Sequence, residues 1–140
     1  MYKILIVEDE KDAREGLAEL IRQYDSSIEV TVRRDGLEGY QTAIEMQPDV
    51  IISDIRMPGC DGLTMASRLQ GRRFQGKILL LTGYADFRYA QQAVRYGITQ
   101  YILKPIVPDE FLPLLQRYLR ETEREKLRNE RKNPRVSYLF

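Results

Sequence analysis

The sequence contains no histidine and only one cysteine, Cys60, among its 140 residues. Without histidine, the Ser-His-Asp triads, the Cys-His nucleophile pairs and most zinc sites are excluded. One cysteine cannot form an internal disulfide, which is typical of a reducing compartment. The chemistry of this chain must therefore come from other side chains.

A charge imbalance and long apolar runs are also missing. The formal net charge is +1, with 31% charged and 43% hydrophobic residues, so the totals favour an ordinary folded domain and indicate neither a nucleic-acid nor a membrane surface. No apolar run approaches the length of a membrane span, and the N-terminus has no signal-like apolar region. We expect a single cytoplasmic domain with one core.

Short apolar runs alternate with segments of helical periodicity along the chain. Strands are predicted at 2–7, 28–32, 50–53, 77–81 and 99–103, and helices at 11–24, 36–46, 62–69, 86–97 and from 108 onward. The second strand alternates apolar and polar residues, which predicts a half-exposed edge. Five strand–helix repeats predict an α/β fold in which a parallel sheet is covered by helices on both faces.

The composition changes after Arg120. Residues 120–132 are nearly all charged or polar, and Leu127 is their only large apolar residue. This pattern predicts a solvated helix extension or linker, because a coiled coil needs apolar positions over several heptads. We place the domain at 1–120 and the extension with its tail at 121–140.

Polar side chains follow four of the predicted strands. Glu8 and Asp9 follow the first strand, Asp54 the third, Thr82 the fourth and Lys104 the fifth. Each residue alone could simply mark a strand end, but in a parallel sheet all of these ends meet at the edge where ligands bind. Gathered carboxylates repel unless a cation lies among them, and oxygen ligands suit Mg²⁺. An aspartate nucleophile, a lysine and a hydroxyl suffice for phosphoryl transfer, so the set predicts a phosphorylatable Asp54.

In this order the motifs at 4–10, 49–62, 81–83 and 101–105 resemble those of the receiver domain of bacterial two-component response regulators. The resemblance covers about residues 2–118. It implies a flavodoxin-like sheet of strand order 2-1-3-4-5 and a phosphoryl group accepted by Asp54 from a sensor histidine kinase. The chain would then catalyse only its own phosphorylation and dephosphorylation.

The resemblance also implies a metal site. Asp9, Asp54 and the backbone carbonyl of Arg56 would ligate Mg²⁺, and Glu8 would act through a bound water. Many relatives have aspartate where this chain has Glu8, and the longer side chain repositions the carboxylate slightly. Thr82 and Lys104 would hold the phosphate.

A switch is implied at the same edge. Thr82 would move toward the phosphate and Tyr101 would swing inward, remodelling the face made by the fourth predicted helix, the fifth strand and the fifth helix, where a homodimer could form. The bond before Pro105 is expected to be cis. Arg56 and Tyr84 border the phosphate position, and their bulk predicts slow loss of the phosphoryl group to water.

The segment 83–90 resembles receivers that are fused to AraC-type DNA-binding domains. This favours transcriptional output through a domain absent from this chain, and the alternative is a stand-alone receiver that acts by protein contact. An aspartate-nucleophile phosphatase of the haloacid-dehalogenase kind is disfavoured because Arg56 stands where its general acid belongs. A flavodoxin-like cofactor binder is disfavoured because Glu8, Asp9 and Glu10 would repel a flavin phosphate.

Overall fold

The computed structural model describes residues 1–83, 88 and 97–132. The strands are β1 (Lys3–Val7), β2 (Glu29–Arg33), β3 (Val50–Asp54), β4 (Lys77–Thr82) and β5 (Gln100–Leu103). The helices are α1 (Lys11–Tyr24), α2 (Gly36–Met46), α3 (Gly62–Gly71) and a long helix (Pro108–Lys132). The strands agree with the predicted ones to within one residue at each end. Of the helix predicted at 86–97 only residues 88 and 97 are described, and the tail after 132 lies outside the described ranges.

All five strands pair in parallel in the order β2-β1-β3-β4-β5, which confirms the predicted fold. β2 lies at one edge and no residue of it is fully buried, as its alternating sequence predicts. Because the strands are parallel, their carboxyl ends share one edge of the sheet. We call this edge the upper edge and the opposite one, where the strands begin, the lower edge.

Two layers of apolar side chains cover the faces of the sheet. Alternate strand residues point to opposite faces, so Ile4 and Ile6 contact one layer while Leu5 and Val7 contact the other. α1 and the long helix supply the first layer, and α2 and α3 supply the second. The strands buried on both faces are the ones whose sequences are continuously apolar.

The starts of α2 and α3 are set by aspartates. The carboxylate of Asp35 accepts a hydrogen bond from the amide of Glu38 at 2.9 Å, and that of Asp61 from the amide of Thr64 at 2.8 Å. These contacts satisfy amides that have no partner inside the helix. They fix where each helix begins below the loops of the upper edge.

The long helix continues without a break from Pro108 through Arg120 to Lys132. The domain boundary at residue 120 therefore stays a prediction, because the helix itself shows no change there. Within the described residues, no helix combines the length and apolarity that a membrane crossing requires.

Candidate functional site

The predicted site residues do lie at the upper edge of the sheet. Asp54 is the last residue of β3 and Thr82 the last of β4, while Glu8 directly follows β1 and Lys104 directly follows β5. The register places Asp54 beside Leu81 and Thr82 beside Leu103. Neighbouring strands therefore deliver these side chains to one place.

Three carboxylates converge at this edge. Glu8, Asp9 and Asp54 each offer an oxygen, and these oxygens lie within 4.8 Å of one another. The cluster is graded in exposure: Glu8 is 4% exposed, Asp54 is half-buried and Asp9 is exposed. Its open side is thus the side of Asp9, and its closed side is that of Glu8.

Glu8 carries the electrostatic cost of the cluster. Burial, followed by the neighbouring Asp54 carboxylate, raises the pKa of Glu8 from 4.5 to about 8. Its Oε2 atom is buried and has no hydrogen-bond partner among the described residues. A buried carboxylate without a partner is costly, and a hard divalent cation among three carboxylates offsets that cost. The donor set, which is all oxygen, fits Mg²⁺.

Asp54 is held by both of its oxygens. Its Oδ2 lies 3.0 Å from the Lys104 amine, and its Oδ1 accepts a hydrogen bond from the amide of Ile55 at 2.9 Å. The backbone behind it is also fixed, since a Cβ on Gly62 would lie 2.3 Å from the Asp54 carbonyl oxygen. Only glycine fits at that position, so α3 begins directly against the back of Asp54.

Arg14 is a site residue that the sequence did not reveal. Its Nη1 donates to the backbone carbonyl of Glu8 at 3.0 Å and lies 3.4 Å from that of Asp9. It therefore ties the start of α1 to the loop that carries the two acids. An arginine in an amphipathic helix looks like any solvated residue, so no sequence signal distinguished it.

Thr82 and Lys104 are linked through the backbone. The Lys104 amide donates to the Thr82 carbonyl at 2.8 Å, and the buried Thr82 hydroxyl donates to the carbonyl of Gly83 at 3.0 Å. The bond between Lys104 and Pro105 is cis, the isomer that the resemblance implies.

Tyr101 packs against the apolar layer of α2 and α3. Its hydroxyl oxygen is buried without a hydrogen-bond partner in the described part of the chain, and burial raises the pKa of the phenol. The ring is thus already directed inward in this structure. Arg56 lies exposed two residues after Asp54, and Tyr84 falls outside the described residues.

A groove of 570 Å³ opens beside the acidic cluster, between α1 and the loop after β5. Its lining combines the apolar Leu17 and Ile106 with the charged Glu8, Glu10 and Lys104. A mixed apolar and charged lining beside the acidic cluster is a suitable contact surface for a protein that reaches Asp54.

Comparison with known proteins adds the family context. Residues 4–116 match the family model described as the response regulator receiver domain. The chain is 30% identical over 126 residues to the uncharacterized transcriptional regulatory protein YesN of Bacillus subtilis, covering 89% of this chain and 34% of that protein. The chain spans about half the length, or less, of the curated relatives it matches.

Solved structures share the fold. The N-terminal domain of an uncharacterized protein from Wolinella succinogenes has a TM-score of 0.80 at 34% identity, covering 90% of this chain and 99% of that one. A response regulator receiver domain protein from Clostridium thermocellum has a TM-score of 0.77 at 25% identity, covering 91% of this chain and 98% of that one.

Proposed function

Because the chain belongs to the response regulator receiver domain family, we propose that Asp54 is its phosphoacceptor and that a sensor histidine kinase is the donor. The observation that carries this proposal is the pairing of the Asp54 carboxylate with Lys104 at 3.0 Å inside a cluster of three acids. A carboxylate that is held beside a cation and open to one side is suited to attack a phosphoryl group.

Each residue of the site has a separate role in the phosphoryl transfer. An Asp54 oxygen attacks phosphorus, the bond from phosphorus to the donor imidazole nitrogen breaks, and the imidazole leaves with the bonding pair. Lys104 stays near the transferred oxygens and neutralises part of their charge. The Thr82 hydroxyl turns from the Gly83 carbonyl toward the phosphoryl group. The amide of Ile55 keeps the carboxylate plane in position.

Glu8, Asp9, Asp54 and the backbone carbonyl of Arg56 are the groups that would hold Mg²⁺, with Glu8 acting through water. When bound, the ion supplies neutralisation of the carboxylates and of the phosphoryl oxygens. The Oε2 atom of Glu8, which has no hydrogen-bond partner among the described residues, supports this assignment. Lys104 is the one described cation that offsets the charge of an ionised Glu8.

The test is incubation with acetyl phosphate and Mg²⁺, read by intact mass. The expected result is one added phosphoryl group on the native chain and none on Asp54→Asn. Asp12→Asn, which removes an exposed acid of α1, is the matched control and is expected to be modified normally. A native chain without the adduct, or an Asp54→Asn chain that carries it, contradicts the proposal.

We propose that the output of the whole protein is transcription through an AraC-type DNA-binding domain outside this chain. The relatives that are transcriptional regulators support this, since they extend well beyond the matched region. A reading frame that continues into a helix-turn-helix domain agrees with the proposal. A stop codon after residue 140 favours the alternative, a stand-alone receiver. The kinase partner and the single, half-buried Cys60 support a cytoplasmic location.

The surface around β5 is the proposed switch face. Leu103 is 45% exposed and Val107 is 47% exposed, beside the partly buried Tyr101. Phosphorylation is expected to promote a homodimer through this face. Sedimentation velocity with acetyl phosphate measures it: the native chain shifts toward dimer, and Leu103→Glu/Val107→Glu stays monomeric although it is phosphorylated. A double variant that still dimerises would place the contact elsewhere.

A further inference from the structure

Beyond residue 120, three acids of the long helix contact side chains of the domain. Glu125 lies 2.7 Å and Glu121 3.9 Å from the Lys77 amine at the lower edge of the sheet. Glu123 accepts a hydrogen bond from the Tyr2 hydroxyl at 2.6 Å. Three of the four acids after Arg120 thus have partners elsewhere in the chain.

The arginines of the same segment form a separate line, which we call the arginine stripe: Arg120, Arg124, Arg128 and Arg131. Spacings of four, four and three residues place them along one side of the helix. Arg124 comes two and a half turns after the buried Leu115, so this side points away from the core. All four are exposed, and none forms an ion pair with any described residue.

The helix holds this stripe in a fixed orientation. The Lys126 amine lies 2.5 Å from a carboxylate oxygen of Asp49, which is 3% exposed and also accepts from the amide of Lys3 at 2.7 Å. Rotation of the helix would break this contact and the Lys77 contact together. Arginines four residues apart repel each other and weaken a helix. Glu121 and Glu125 line one groove with Arg124 and Arg128, but both acids lie within ion-pair distance of Lys77 instead.

We propose that the arginine stripe binds the phosphate backbone of DNA. From Arg120 to Arg131 the helix rises about 16 Å, while each DNA strand carries a phosphate about every 3.4 Å along the axis. Guanidinium groups pair with phosphate through two parallel hydrogen bonds. The contact is independent of base sequence, because nothing in the stripe reads base edges. It rests on the proposed transcriptional output, to which it adds a second contact with DNA.

The experiment measures the salt dependence of binding. Fluorescence anisotropy of a fluorescein-labelled duplex of arbitrary sequence is recorded with the 140-residue chain from about 50 to about 200 mM NaCl. Four phosphate contacts give a slope of about −3.6 for the logarithm of the binding constant against the logarithm of the salt concentration. Arg124→Gln/Arg128→Gln is expected to reduce the slope by about half, in proportion to the contacts removed. Arg72→Gln/Arg73→Gln removes the same charge from the exposed turn that follows α3 and should leave the slope unchanged.

Each contrary result overturns the proposal. No binding, or an equal loss in both double variants, rules out a contact at the stripe. Tighter binding to phosphatidylserine vesicles than to the duplex at equal salt would mean that the arginine stripe binds lipid headgroups and not DNA. A native dimer that Arg124→Gln/Arg128→Gln dissociates assigns it to a second copy. Phosphorylation of the same samples by acetyl phosphate distinguishes failure of this inference from failure of the proposed function. A chain that is modified at Asp54 but does not bind DNA refutes this inference alone. A chain that is not modified refutes the proposed function.

Discussion

Glu8 shows most directly how a residue can be placed for a site at the expense of stability. It is buried beside Asp54, one of its oxygens has no partner among the described residues, and its pKa is raised to about 8. An apolar residue would pack there at lower cost. A cation among the three carboxylates would compensate the charge of an ionised Glu8.

The pKa of Glu8 gives a pH-dependent prediction. Between pH 4.5 and about 8 the folded protein keeps a proton on Glu8 that the unfolded chain has released. The free energy of unfolding therefore falls as the pH rises through this range, and the loss is complete above the folded pKa. Glu8→Gln cannot ionise. In EDTA, its Tm is therefore expected to fall less than that of the native chain between pH of about 5 and about 9.

Thermal unfolding followed by circular dichroism checks this difference. Glu8→Asp, which keeps an ionisable group, serves as the control and should retain the native pH dependence. Saturating Mg²⁺ is expected to restore the native chain at high pH, because the cation compensates the ionised carboxylate, and to do little for Glu8→Gln. Parallel Tm curves for the native chain and Glu8→Gln in EDTA would contradict a raised pKa at Glu8.

At the scale of elements, the sequence predicts features that depend on neighbouring residues but not the contacts between residues that are distant in the chain. Strand bounds follow from apolar runs, and the starts of α2 and α3 follow from the aspartates that cap them, so these agree with the structure closely. The meeting of Asp54 with Lys104 follows from parallel topology. Arg14 and Asp49 could not be found this way, because their partners depend on the three-dimensional path of the chain. Asp49 and Lys126 are 77 residues apart.

The start of α3 against β3 yields a second prediction. A Cβ at Gly62 would lie 2.3 Å from the Asp54 carbonyl oxygen, which belongs to the backbone and cannot rotate away. Gly62→Ala is expected to lower the free energy of unfolding by about 1–3 kcal/mol, the usual range for overpacking, and to slow phosphorylation. Gly16→Ala in α1 has no atom within 4 Å and should stabilise the protein by up to about 1 kcal/mol.

Urea unfolding of both variants, together with intact mass after acetyl phosphate, measures these effects. Both glycines are helical, Gly62 at the first position of α3 and Gly16 in the middle of α1, and only Gly62 approaches the backbone of Asp54 closely. A Gly62→Ala variant as stable and as readily phosphorylated as the native chain would show that α3 can shift without disturbing the site.

On the scale of the whole molecule, the candidate site lies at one edge of the sheet and the contacts that hold the long helix lie at the other. The upper edge gathers the acidic cluster with Lys104. The lower edge anchors the long helix through Lys77 with Glu125 and Asp49 with Lys126. A segment that composition describes as a solvated extension therefore contacts the start of three strands. The same contacts orient the arginine stripe, so packing at the lower edge and the proposed DNA contact are physically linked.

The lower edge gives the last prediction. Asp49→Asn replaces a buried carboxylate that accepts from both Lys3 and Lys126, so it is expected to lower the free energy of unfolding by about 1.5–3 kcal/mol, the range for hydrogen bonds to charged groups. Lys126→Gln should cost less, about 1 kcal/mol or below, because its amine is largely exposed and the Lys3 contact remains.

Urea unfolding of the two single variants and the double variant measures the coupling between Asp49 and Lys126. The double variant should lose less free energy of unfolding than the two single variants lose in sum, because the contact between Asp49 and Lys126 can be removed only once. Arg124→Gln, on the outward side of the helix, should change the free energy by no more than about 0.5 kcal/mol. Additive costs would mean that the helix is not anchored through this pair, and the fixed orientation of the arginine stripe would then depend on the contacts of Lys77 and Tyr2.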